Sequence, residues 1–363
     1  MRLTGRLGPR AWRRVTGRAM EGMAMVGGAP LRIGLVGVGG IAAQHFKVLA
    51  AEEGVRVVGI TDVDGTRLQE RSGQWGVTAY PGLESLLAQV DAVFICTPPA
   101  HHRAPTVQAA AAGIHVFCEK PIALALEDAD AMAEACRKAG VVLQIGTNFH
   151  FHAFYRAMWQ LWHEGTLGEL ANCWMRSAHV FAARGWEQRR LQGHWRMRPE
   201  DSGGRLFEQI HIVNWLHWIG GPVRSVFGRA LSVAEDLPVD DLDLAVLQFE
   251  RGFGVAELAM VPAVVAEDAT GIIGTRGAVA LRGGRLWLRR SDATQDEEVA
   301  PATVVSRQRH FLDCIRQGRQ PENDAADGRM SLATCLAFMR SAQEGRVVAL
   351  QELESGAGST TVG

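Results

Sequence analysis

Short apolar runs alternate with longer amphipathic segments between residues 31 and 150. Five of these runs have the length and the β-branched composition of buried strands, namely "LRIGLVG", "VRVVGIT", "DAVFICT", "GIHVFC" and "VVLQIG". Helix-like patterns lie between them, around residues 41–52, 82–89, 104–113 and 126–139. Buried parallel strands read as continuous apolar runs and are joined by helices. The alternation therefore predicts an α/β region with a doubly wound parallel sheet.

The pattern changes after residue 150. A helix is predicted over "FYRAMWQLWHEGTLG", then a strand over "GELANCWMRSAHV", then a polar, loop-rich segment. The apolar stretch "RLFEQIHIVNWLHWIGG" predicts one continuous helix that ends at Gly220. Strand-like runs and turns follow, and "LDLAVLQFERGFGVAELAMV" predicts a hairpin around Gly252. With two further helices expected at about 305–317 and 325–344, the second half is predicted to be a separate α/β unit.

The chain of 363 residues exceeds what one hydrophobic core ordinarily holds, so two domains are expected. We predict a leader over 1–30, a nucleotide-binding domain over 31–148, a substrate-binding and oligomerisation domain over 149–350, and a disordered tail over 351–363. The leader carries six arginines and one glutamate, a net +5, which leaves −6 on the rest of a chain whose total is −1. Its twin arginines lack the apolar segment of about 7–15 residues that an export signal needs. We therefore expect a disordered or mis-started leader.

Composition narrows the classes of function. Hydrophobic residues make up 47% of the chain and charged residues 21%, which is typical of a globular enzyme. The acidic balance of the main part gives it no reason to bind nucleic acid, and no run reaches the roughly 18 apolar residues of a membrane span. The six cysteines form no CxxC pair and lie mostly in apolar runs. They predict buried thiols in a reducing cytoplasm, and no zinc site.

A glycine motif follows the first predicted strand and opens the first predicted helix. In "GVGGIA", Gly37 permits a tight turn, Gly39 lets the backbone approach a pyrophosphate, and Ala42 allows close helix packing. Asp62 ends the second strand, where a carboxylate would hold the adenosine ribose hydroxyls. Because Asp62 would repel a 2′-phosphate, the expected cofactor is NAD, with NADP as the alternative. The predicted cofactor-binding residues of this region are Gly37, Val38, Gly39, Gly40, Ile41 and Asp62.

Further polar side chains follow the later strands, at the edge where sheets of this type bind ligands. Both "TPPAHH" and "EKP" come directly after a strand. Of the 38 lysines and arginines only three are lysines, and Lys120 ends a buried strand. Lysine can lose its proton when desolvated whereas arginine cannot, so Lys120 suggests proton chemistry; chance placement is the alternative. The predicted cofactor contacts here are Thr97, Pro98, His102, Glu119 and Lys120.

Three residues of the long apolar helix are predicted to share one face: Glu208, His211 and Trp215, at i, i+3 and i+7. A Glu–His pair at this spacing is often an ordinary solvent-exposed helix pair. The strongly apolar remainder of the helix and the preceding "SGG", which is typical of ligand borders, favour an active-site role. The histidine pairs at 101–102 and at 150 and 152 lack a third ligand, so no metal site is predicted.

Several stretches resemble the glucose-fructose oxidoreductase, inositol dehydrogenase and MocA (Gfo/Idh/MocA) family. They are "GLVGVGGIAAQH", "FICTPPAHH", "AAGIHVFCEKPIAL", "LWHEGTLGEL", "SGGRLFEQIHIVNWLHWIGG", "IIGTRGAVAL" and "DGRMSLATCLAFMRSA". The resemblance implies an N-terminal Rossmann domain and a C-terminal α/β domain with an open, mostly antiparallel mixed sheet. It further implies a homodimer or homotetramer. Lys120 is implied to lie beside the nicotinamide, followed by a cis-proline at Pro121.

The resemblance also implies roles on the long helix. The family carries its catalytic histidine there, which corresponds to His211. Its usual pattern has one aspartate four residues before the histidine and another three after it. This chain has Phe207 and Asn214 at those positions, so Glu208 takes the partner role only with a one-residue shift. His150 replaces an arginine found in many relatives. The predicted substrate-binding residues are His150, Trp195, Arg196 and Asn214.

These observations predict an NAD-linked oxidoreductase that acts on a secondary alcohol, or the corresponding ketone, of a neutral sugar or cyclitol. Hydride transfer to nicotinamide requires the hydroxyl proton to leave. Either Lys120 or His211 is expected to accept it while the other polarises the oxygen, and the sequence leaves both assignments open. Two other functions also remain: a redox-neutral enzyme that modifies a sugar with tightly bound NAD, and a catalytically silent NAD-binding sensor.

Overall fold

The computed structural model describes residues 29–178, 195, 198–233, 240–259 and 267–354. Apart from its last two residues, the predicted leader lies outside this part of the chain. The predicted tail is corrected at its start, because Gln351–Glu354 forms a short helix, while residues 355–363 lie outside the described residues. No helix in the described ranges combines the length and the apolar composition needed to cross a membrane.

A parallel sheet of six strands, counted over the described residues, forms the first domain. The strands are β1 Leu31–Val36, β2 Val55–Thr61, β3 Thr78–Ala79, β4 Ala92–Ile95, β5 His115–Cys118 and β6 Leu143–Ile145. Their order is β3-β2-β1-β4-β5-β6, and all neighbouring pairs are parallel. The strand order reverses between β1 and β4, which opens a crevice at their carboxyl ends. The predicted doubly wound sheet is confirmed.

The helices that connect these strands are α1 Gly40–Leu49, α2 Gly65–Trp75, α3 Leu83–Leu87, α4 Arg103–Ala111 and α5 Leu126–Ala139, with a 3-10 turn at Pro99–His101. The apolar pattern predicts four of these helices to within three residues at each end. It misses α2 because that helix is mostly polar, and Leu68 is its one buried residue. A helix that packs through a single side chain leaves little periodicity to detect.

The second sheet is mixed and mostly antiparallel, as predicted. Its strands are β7 Leu170–Ala178, β8 Ser225–Leu231, β9 Leu242–Gln248, β10 Phe253–Ala259, β11 Glu267–Gly274, β12 Gly277–Arg282, β13 Arg285–Arg290, β14 Glu297–Val299 and β15 Val348–Ala349. The order among the described residues is β14-β13-β12-β11-β7-β10-β9-β8-β15, with β7 and β10 as the parallel pair. The predicted hairpin is confirmed, because β9 and β10 pair antiparallel across a turn that contains Gly252.

Helices cover one face of this sheet. The helices of the second half are α6 Ala153–His163, α7 Pro199–Ser202, α8 Arg205–Glu208, α9 Ile210–Gly220, α10 Arg307–Gln317, α11 Ala325–Glu344 and α12 Gln351–Glu354, with a 3-10 turn at Phe149–Phe151. α9 packs on β7 and β10, and α11 packs on β8. The opposite face keeps apolar side chains partly exposed: Leu244 at 41%, Phe253 at 47% and Ile273 at 42%.

The helix predicted as continuous over "RLFEQIHIVNWLHWIGG" is in fact two helices. α8 ends at Glu208, Gln209 has φ −96° and ψ 25°, and α9 begins at Ile210. The prediction of one helix is therefore wrong at this point. The last carbonyls of a helix have no partner within it, so the interruption frees the Glu208 carbonyl for another donor.

α10 returns from the C-terminal part of the chain to the first sheet. Four of its residues are buried in the hydrophobic core that includes β1, β4 and β5. The ring of Phe311 lies 5.5 Å from that of Phe94 and 5.7 Å from that of Phe117, edge-on to both. The prediction that residues 149–350 form the second domain is corrected for this helix, because α10 completes the core of the first.

Candidate active site at the carboxyl ends of the first sheet

The glycine turn joins β1 to α1 and is backed by the end of β4. Gly37 has φ +83°, and a Cβ there would lie 3.0 Å from the main-chain nitrogen of Thr97. A Cβ on Gly39 or Gly40 would meet no atom within 4 Å, so the space beside these residues is open. Gly39 is the N-cap of α1, and no side chain caps the helix. The turn can therefore accept a pyrophosphate against free amides.

Asp62 lies at the end of β2, beside this turn. Its Oδ2 accepts a hydrogen bond from the Val38 N–H at 2.7 Å, and its Oδ1 accepts one from the Asp64 N–H at 2.9 Å. Each carboxylate oxygen has a second lone pair, so ribose hydroxyls can still donate to it. Glycine turn, open space and acidic strand end together fit an adenine dinucleotide.

His102 does not face the crevice, which corrects its predicted role as a cofactor contact. The side chain is fully buried, with Nδ1 2.9 Å from the Pro121 carbonyl and Nε2 2.9 Å from the Thr97 carbonyl. Burial lowers the pKa of His102. The ring therefore joins the turn after β4 to the turn after β5. Thr97 and Pro98 are partly buried at the start of the first of these turns.

Lys120 follows β5 directly, and its peptide bond to Pro121 is cis, as the resemblance implies. Nζ of Lys120 donates to the main-chain carbonyl of Glu208, the acceptor freed where α8 ends. The side chain of Glu208 is half-buried and borders the same cavity as Lys120. The interrupted helix thus fixes the lysine through a backbone oxygen.

A cavity of about 440 Å³ opens next to Lys120, between the two sheets. Its lining residues are Lys120, Asn148, Phe149, His152, Tyr155, Met175, Arg176, Ser177, Glu208, Gln209, His211, Ile212, Ala269, Thr270 and Leu281. Hydroxyl, amide, imidazole and charged groups predominate on one side, and β7 and β11 supply the floor. This volume lies within the roughly 300–1,000 Å³ of small-molecule sites.

His211 lies in the first turn of α9 and faces this cavity. The main-chain N–H of Asn148 donates to Nδ1 of His211 at 3.3 Å. A backbone N–H can only donate, so the ring proton of the neutral imidazole lies on Nε2. Burial, followed by the positive charges of Lys120 and Arg307, lowers the pKa of His211 well below its ordinary value. His211 is therefore neutral around pH 7 and offers an N–H donor.

Glu119 is directed into the protein rather than toward the cofactor crevice, which corrects its predicted role. Its side chain accepts hydrogen bonds from His45 at 2.8 Å and from the Lys120 main-chain N–H at 3.2 Å, and it pairs with Arg307 at 3.0 Å. Burial opposes ionisation, but Arg307 and then His45 hold the pKa of Glu119 far below its usual range. The residue supports the turn that carries Lys120.

Two predicted substrate-binding residues lie elsewhere. His150 is fully buried, stacked on Trp218 with the ring centres 3.9 Å apart, and does not border the cavity. Asn214 is fully buried on α9, where Nδ2 donates to Asp327 at 2.6 Å and to Ser331 at 3.2 Å. Both predictions are wrong, because these side chains face a buried polar cluster under α11.

The other predicted residues divide between the two outcomes. Trp195 is half-buried, and its carbonyl accepts a hydrogen bond from the Arg198 N–H at 3.0 Å. Arg196 lies outside the described residues. Glu208 and His211 both line the cavity despite the helix interruption, whereas Trp215 is in the core. A substrate role for Trp195 and Arg196 stays a prediction.

Several lining residues escape the sequence analysis, among them Tyr155 and Arg176. Tyr155 is one of only two tyrosines in the chain, and this scarcity is a signal of the kind that picked out Lys120. Arg176 lies on β7 and pairs with Glu257 at 2.9 Å, and no local motif distinguishes it from other strand arginines. Both become visible only once β7 and α6 are brought together.

The chain matches two descriptions of one family in sequence. Residues 31–147 match "Oxidoreductase family, NAD-binding Rossmann fold", and residues 155–280 match "GFO/IDH/MocA C-terminal domain". Together these segments cover most of both sheets. The chain belongs to the Gfo/Idh/MocA family.

Named members of the Gfo/Idh/MocA family match over nearly the full length. 1,5-Anhydro-D-fructose reductase of Ensifer adhaerens is 31% identical, over 90% of this chain and 99% of that protein. D-Apiose dehydrogenase of Paraburkholderia graminis is 29% identical, over 90% and 92%. The WlbA dehydrogenase of Bordetella pertussis, solved with NADH and UDP-GlcNAcA, is 25% identical with a TM-score of 0.76, over 89% and 98%. The expected family and fold are confirmed.

Asp327, the partner of Asn214, should make stability depend on pH. Burial raises the pKa of Asp327 from 3.8 to about 6. The native state therefore binds this proton more tightly than the unfolded chain, and the resulting stability is present below pH 3.8 and lost as the pH rises through 6. Relative to wild type, D327N should gain about 2–3 kcal/mol in unfolding free energy between pH 4 and 8.

Urea unfolding of both proteins at a series of pH values measures this difference. Glu322, whose pKa the neighbouring Arg156 and His150 lower to about 2 against the effect of burial, titrates below that window and is common to both proteins. Parallel pH profiles for wild type and D327N would show that Asp327 is ionised without cost.

Proposed function

We propose that this protein is an NAD-dependent dehydrogenase that transfers a hydride between the cofactor and a secondary alcohol, or its ketone, of a sugar or cyclitol. The observation that carries the proposal is the meeting of Lys120 and His211 at one polar cavity beyond the carboxyl ends of the first sheet. Related proteins named for D-apiose and 1,5-anhydro-D-fructose support a sugar substrate.

Lys120 is proposed to be the general base in alcohol oxidation. The fixed tautomer of His211 supports this assignment, because an imidazole with its proton on Nε2 has no free acceptor toward the cavity. A neutral Lys120 can take the hydroxyl proton at Nζ, and a protonated one can return it during ketone reduction. The Glu208 carbonyl orients Nζ for this transfer.

His211 is proposed to donate its Nε2–H to the oxygen that gains negative charge. A donor already oriented toward that oxygen stabilises the charge without reorganisation during the reaction. When bound, NAD supplies the hydride acceptor at nicotinamide C4 and NADH supplies the donor. Gly37, Gly39 and Asp62 would hold the dinucleotide, and Asp62 favours NAD over NADP because a 2′-phosphate would meet its carboxylate.

The substrate is proposed to be neutral and rich in hydroxyls. The cavity is large enough for a monosaccharide, and its polar groups match hydroxyl donors and acceptors. Arg176 is the strand cation on its floor, and Glu257 pairs with that guanidinium at 2.9 Å. An arginine already matched by a carboxylate offers a weaker attraction to an acidic sugar than an unmatched one.

Nicotinamide absorbance tests the proposal directly. Purified protein is mixed with NAD and, in turn, with inositols, aldoses, anhydrosugars and aminosugars, and the series is repeated with NADP. A steady rise with one class establishes dehydrogenase activity and identifies the substrate class. A flat trace throughout, from protein that retains NAD through purification, would favour the redox-neutral use of bound cofactor instead.

Replacement of Asp62 should weaken NAD binding and relax the choice of cofactor. D62S loses the acceptor of the Val38 N–H and of the ribose hydroxyls, charge-assisted contacts worth about 1.5–3 kcal/mol each, so KM for NAD should rise about 10- to 100-fold. The ratio of kcat/KM for NADP to that for NAD should rise. D64N is the matched control, since its side chain caps α2 and asparagine caps equally well. Equal KM values in D62S and D64N would remove Asp62 from the cofactor site.

We further propose that a second copy of the chain covers the open face of the second sheet. Val246, Val255 and Trp174 are paired across β9, β10 and β7, so their side chains lie on one face, which also carries the exposed Leu244. An apolar area of this kind is typical of an interface. Light scattering after size exclusion should give a homodimer or homotetramer, and L244K should shift it toward monomer. A monomeric wild type would contradict the proposal.

The protein is proposed to work in the cytoplasm. All six cysteines are unbonded and buried, which confirms the prediction of buried thiols. Unpaired cysteines in this number fit a reducing compartment.

A further inference from the structure

The carboxylate of Glu119 is enclosed next to the turn that carries Lys120. Its Oε1 accepts from Nε2 of His45 at 2.8 Å and pairs with Nη2 of Arg307 at 3.0 Å. Its Oε2 accepts from the Lys120 main-chain N–H at 3.2 Å. A Cβ on Gly146 would lie 3.0 Å from the carboxyl carbon, so the group packs directly on the backbone after β6.

His45 contributes a dipole to this cluster rather than a charge. Gln308 donates to Nδ1 of His45 at 3.0 Å, which places the ring proton on Nε2, facing Glu119. Burial lowers the pKa of His45. A buried carboxylate needs a compensating charge as well as hydrogen bonds, and the guanidinium of Arg307 provides it in direct contact.

Arg307 joins two turns with one guanidinium. Nη2 contacts Glu119, which follows β5, and Nη1 donates to the carbonyl of Gly146, which follows β6. Lys120 is the next residue after Glu119. Asn148, two residues after Gly146, holds Nδ1 of His211 through its main-chain N–H. The two turns bridged by Arg307 are therefore those that fix Lys120 and His211.

The direction of this side chain is itself fixed. Arg307 is the first residue of α10, whose N-cap is Ser306, and its carbonyl accepts a hydrogen bond from Gln144 of β6 at 2.9 Å. The guanidinium carbon lies 5.7 Å from the centre of the Phe117 ring, and the side chain is 15% exposed. An arginine held at its backbone, over an aromatic ring and by two acceptors has little freedom to shift.

We propose that Arg307 is a positioning residue of the hydride-transfer site, which sets the separation of Lys120 and His211 by bridging Glu119 and Gly146. The inference rests on the proposed function in that Lys120 and His211 are taken as the reacting groups. Arg307 itself lies behind the turns and does not border the cavity. Its charge also acts with that of Lys120 to keep His211 neutral, against the weaker opposing effect of Glu119.

Two substitutions separate the geometry from the charge. R307K keeps the cation but cannot bridge two acceptors as a planar fork, so kcat should fall about 10- to 100-fold, KM for NAD should hold, and the pH profile should keep its shape. R307Q loses both, so kcat should fall further and a new loss of rate should appear at acidic pH as His211 becomes protonated. R309Q is the matched control: Arg309 lies on the same helix and pairs with Glu52 and Asp313.

Histidine NMR gives a readout that does not depend on turnover. With ring-labelled histidine, and the His211 signal assigned from its loss in H211Q, the wild-type ring should stay neutral with the proton on Nε2 through pH 6. In R307Q the same signal should titrate at higher pH. If wild type oxidises no sugar, the proposed function fails while this measurement still decides the role of Arg307.

A purely structural role predicts a different outcome. R307K and R307Q would then melt at lower temperature, with kcat, KM, pH profile and the His211 signal unchanged below the transition, and that result would overturn the inference. If R307Q does not fold, R307K and R309Q still give the comparison of kcat. A loss of kcat confined to R307K supports the inference, and an equal loss in R309Q contradicts it.

Discussion

Replacement of Lys120 by arginine is expected to lower kcat by about 10³- to 10⁴-fold, near the upper end of what general acid–base catalysis contributes. Arginine can still donate to the Glu208 carbonyl, but it stays protonated and cannot accept the hydroxyl proton. The dissociation constant for NADH, measured by fluorescence titration, should stay within a few-fold of wild type, because the glycine turn and Asp62 are unchanged. Stopped-flow absorbance at saturating cofactor measures the lost step.

Lys120→Met and Lys138→Arg complete this experiment. K120M removes the amine and should be as slow as K120R, which separates proton transfer from charge. K138R is the matched control, because Lys138 is 70% exposed and pairs with Glu134 on the outer face of α5. Activity of K120R within tenfold of wild type would show that the proton leaves by another route, and the mechanism would then have to be assigned elsewhere.

Replacement of His211 should separate hydrogen-bond donation from proton acceptance. H211F removes the donor and should lower kcat by about 10²- to 10³-fold, the usual cost of a lost donor to a developing oxyanion. H211Q can place an amide N–H near the position of Nε2 and should recover about tenfold of that loss. Because burial and two nearby cations keep His211 neutral, wild type should show no loss of rate between pH 7 and 6 that disappears in H211Q.

The opposite pattern would assign the base to His211. In that case H211Q would be as slow as H211F, and an acidic limb in the wild-type profile of kcat would vanish in both. The hydrogen bond from Asn148 to Nδ1 argues against this outcome, since a base with its free lone pair on Nε2 would need its proton on the nitrogen that accepts from the backbone.

The first sheet is predictable because buried parallel strands leave a strong local signal. The runs at β1, β4 and β5 are apolar on both faces, and helices that cover them alternate regularly. The glycine turn and Asp62 are also local features with fixed spacing. α2 lacks such a signal, because a mostly polar helix held by one leucine has no apolar stripe.

The site is predictable only where a motif names its residue. Lys120 and His211 meet at the cavity as expected, but His102, Glu119, His150 and Asn214 are turned into the protein. For each, the sequence gives the position on a strand end or helix and not the direction of the side chain. His150 and Asn214 lie next to residues that do line the cavity, and a rotation of one position along the chain separates the two environments.

Arg307 and Gln308 had no sequence signal as site residues. They follow β14 and lie about 190 positions after Glu119 in the chain, and the contact forms only when α10 packs on the first sheet. A buried acid at the end of β5 does imply a cation somewhere nearby. With 35 arginines in the chain, that requirement does not identify which one.

The return of α10 to the first sheet also has a consequence for synthesis of the protein on the ribosome. Domains generally fold as units while the chain emerges, N-terminal first. Here the aromatic cluster of Phe94 and Phe117 stays open until Phe311 has been translated, long after β6 is complete. A nascent chain that stops before α10 would expose this apolar surface, so the first domain reaches its native core only near the end of translation. The cofactor site would therefore be among the last parts of the protein to mature, although its glycine turn is among the first to be made.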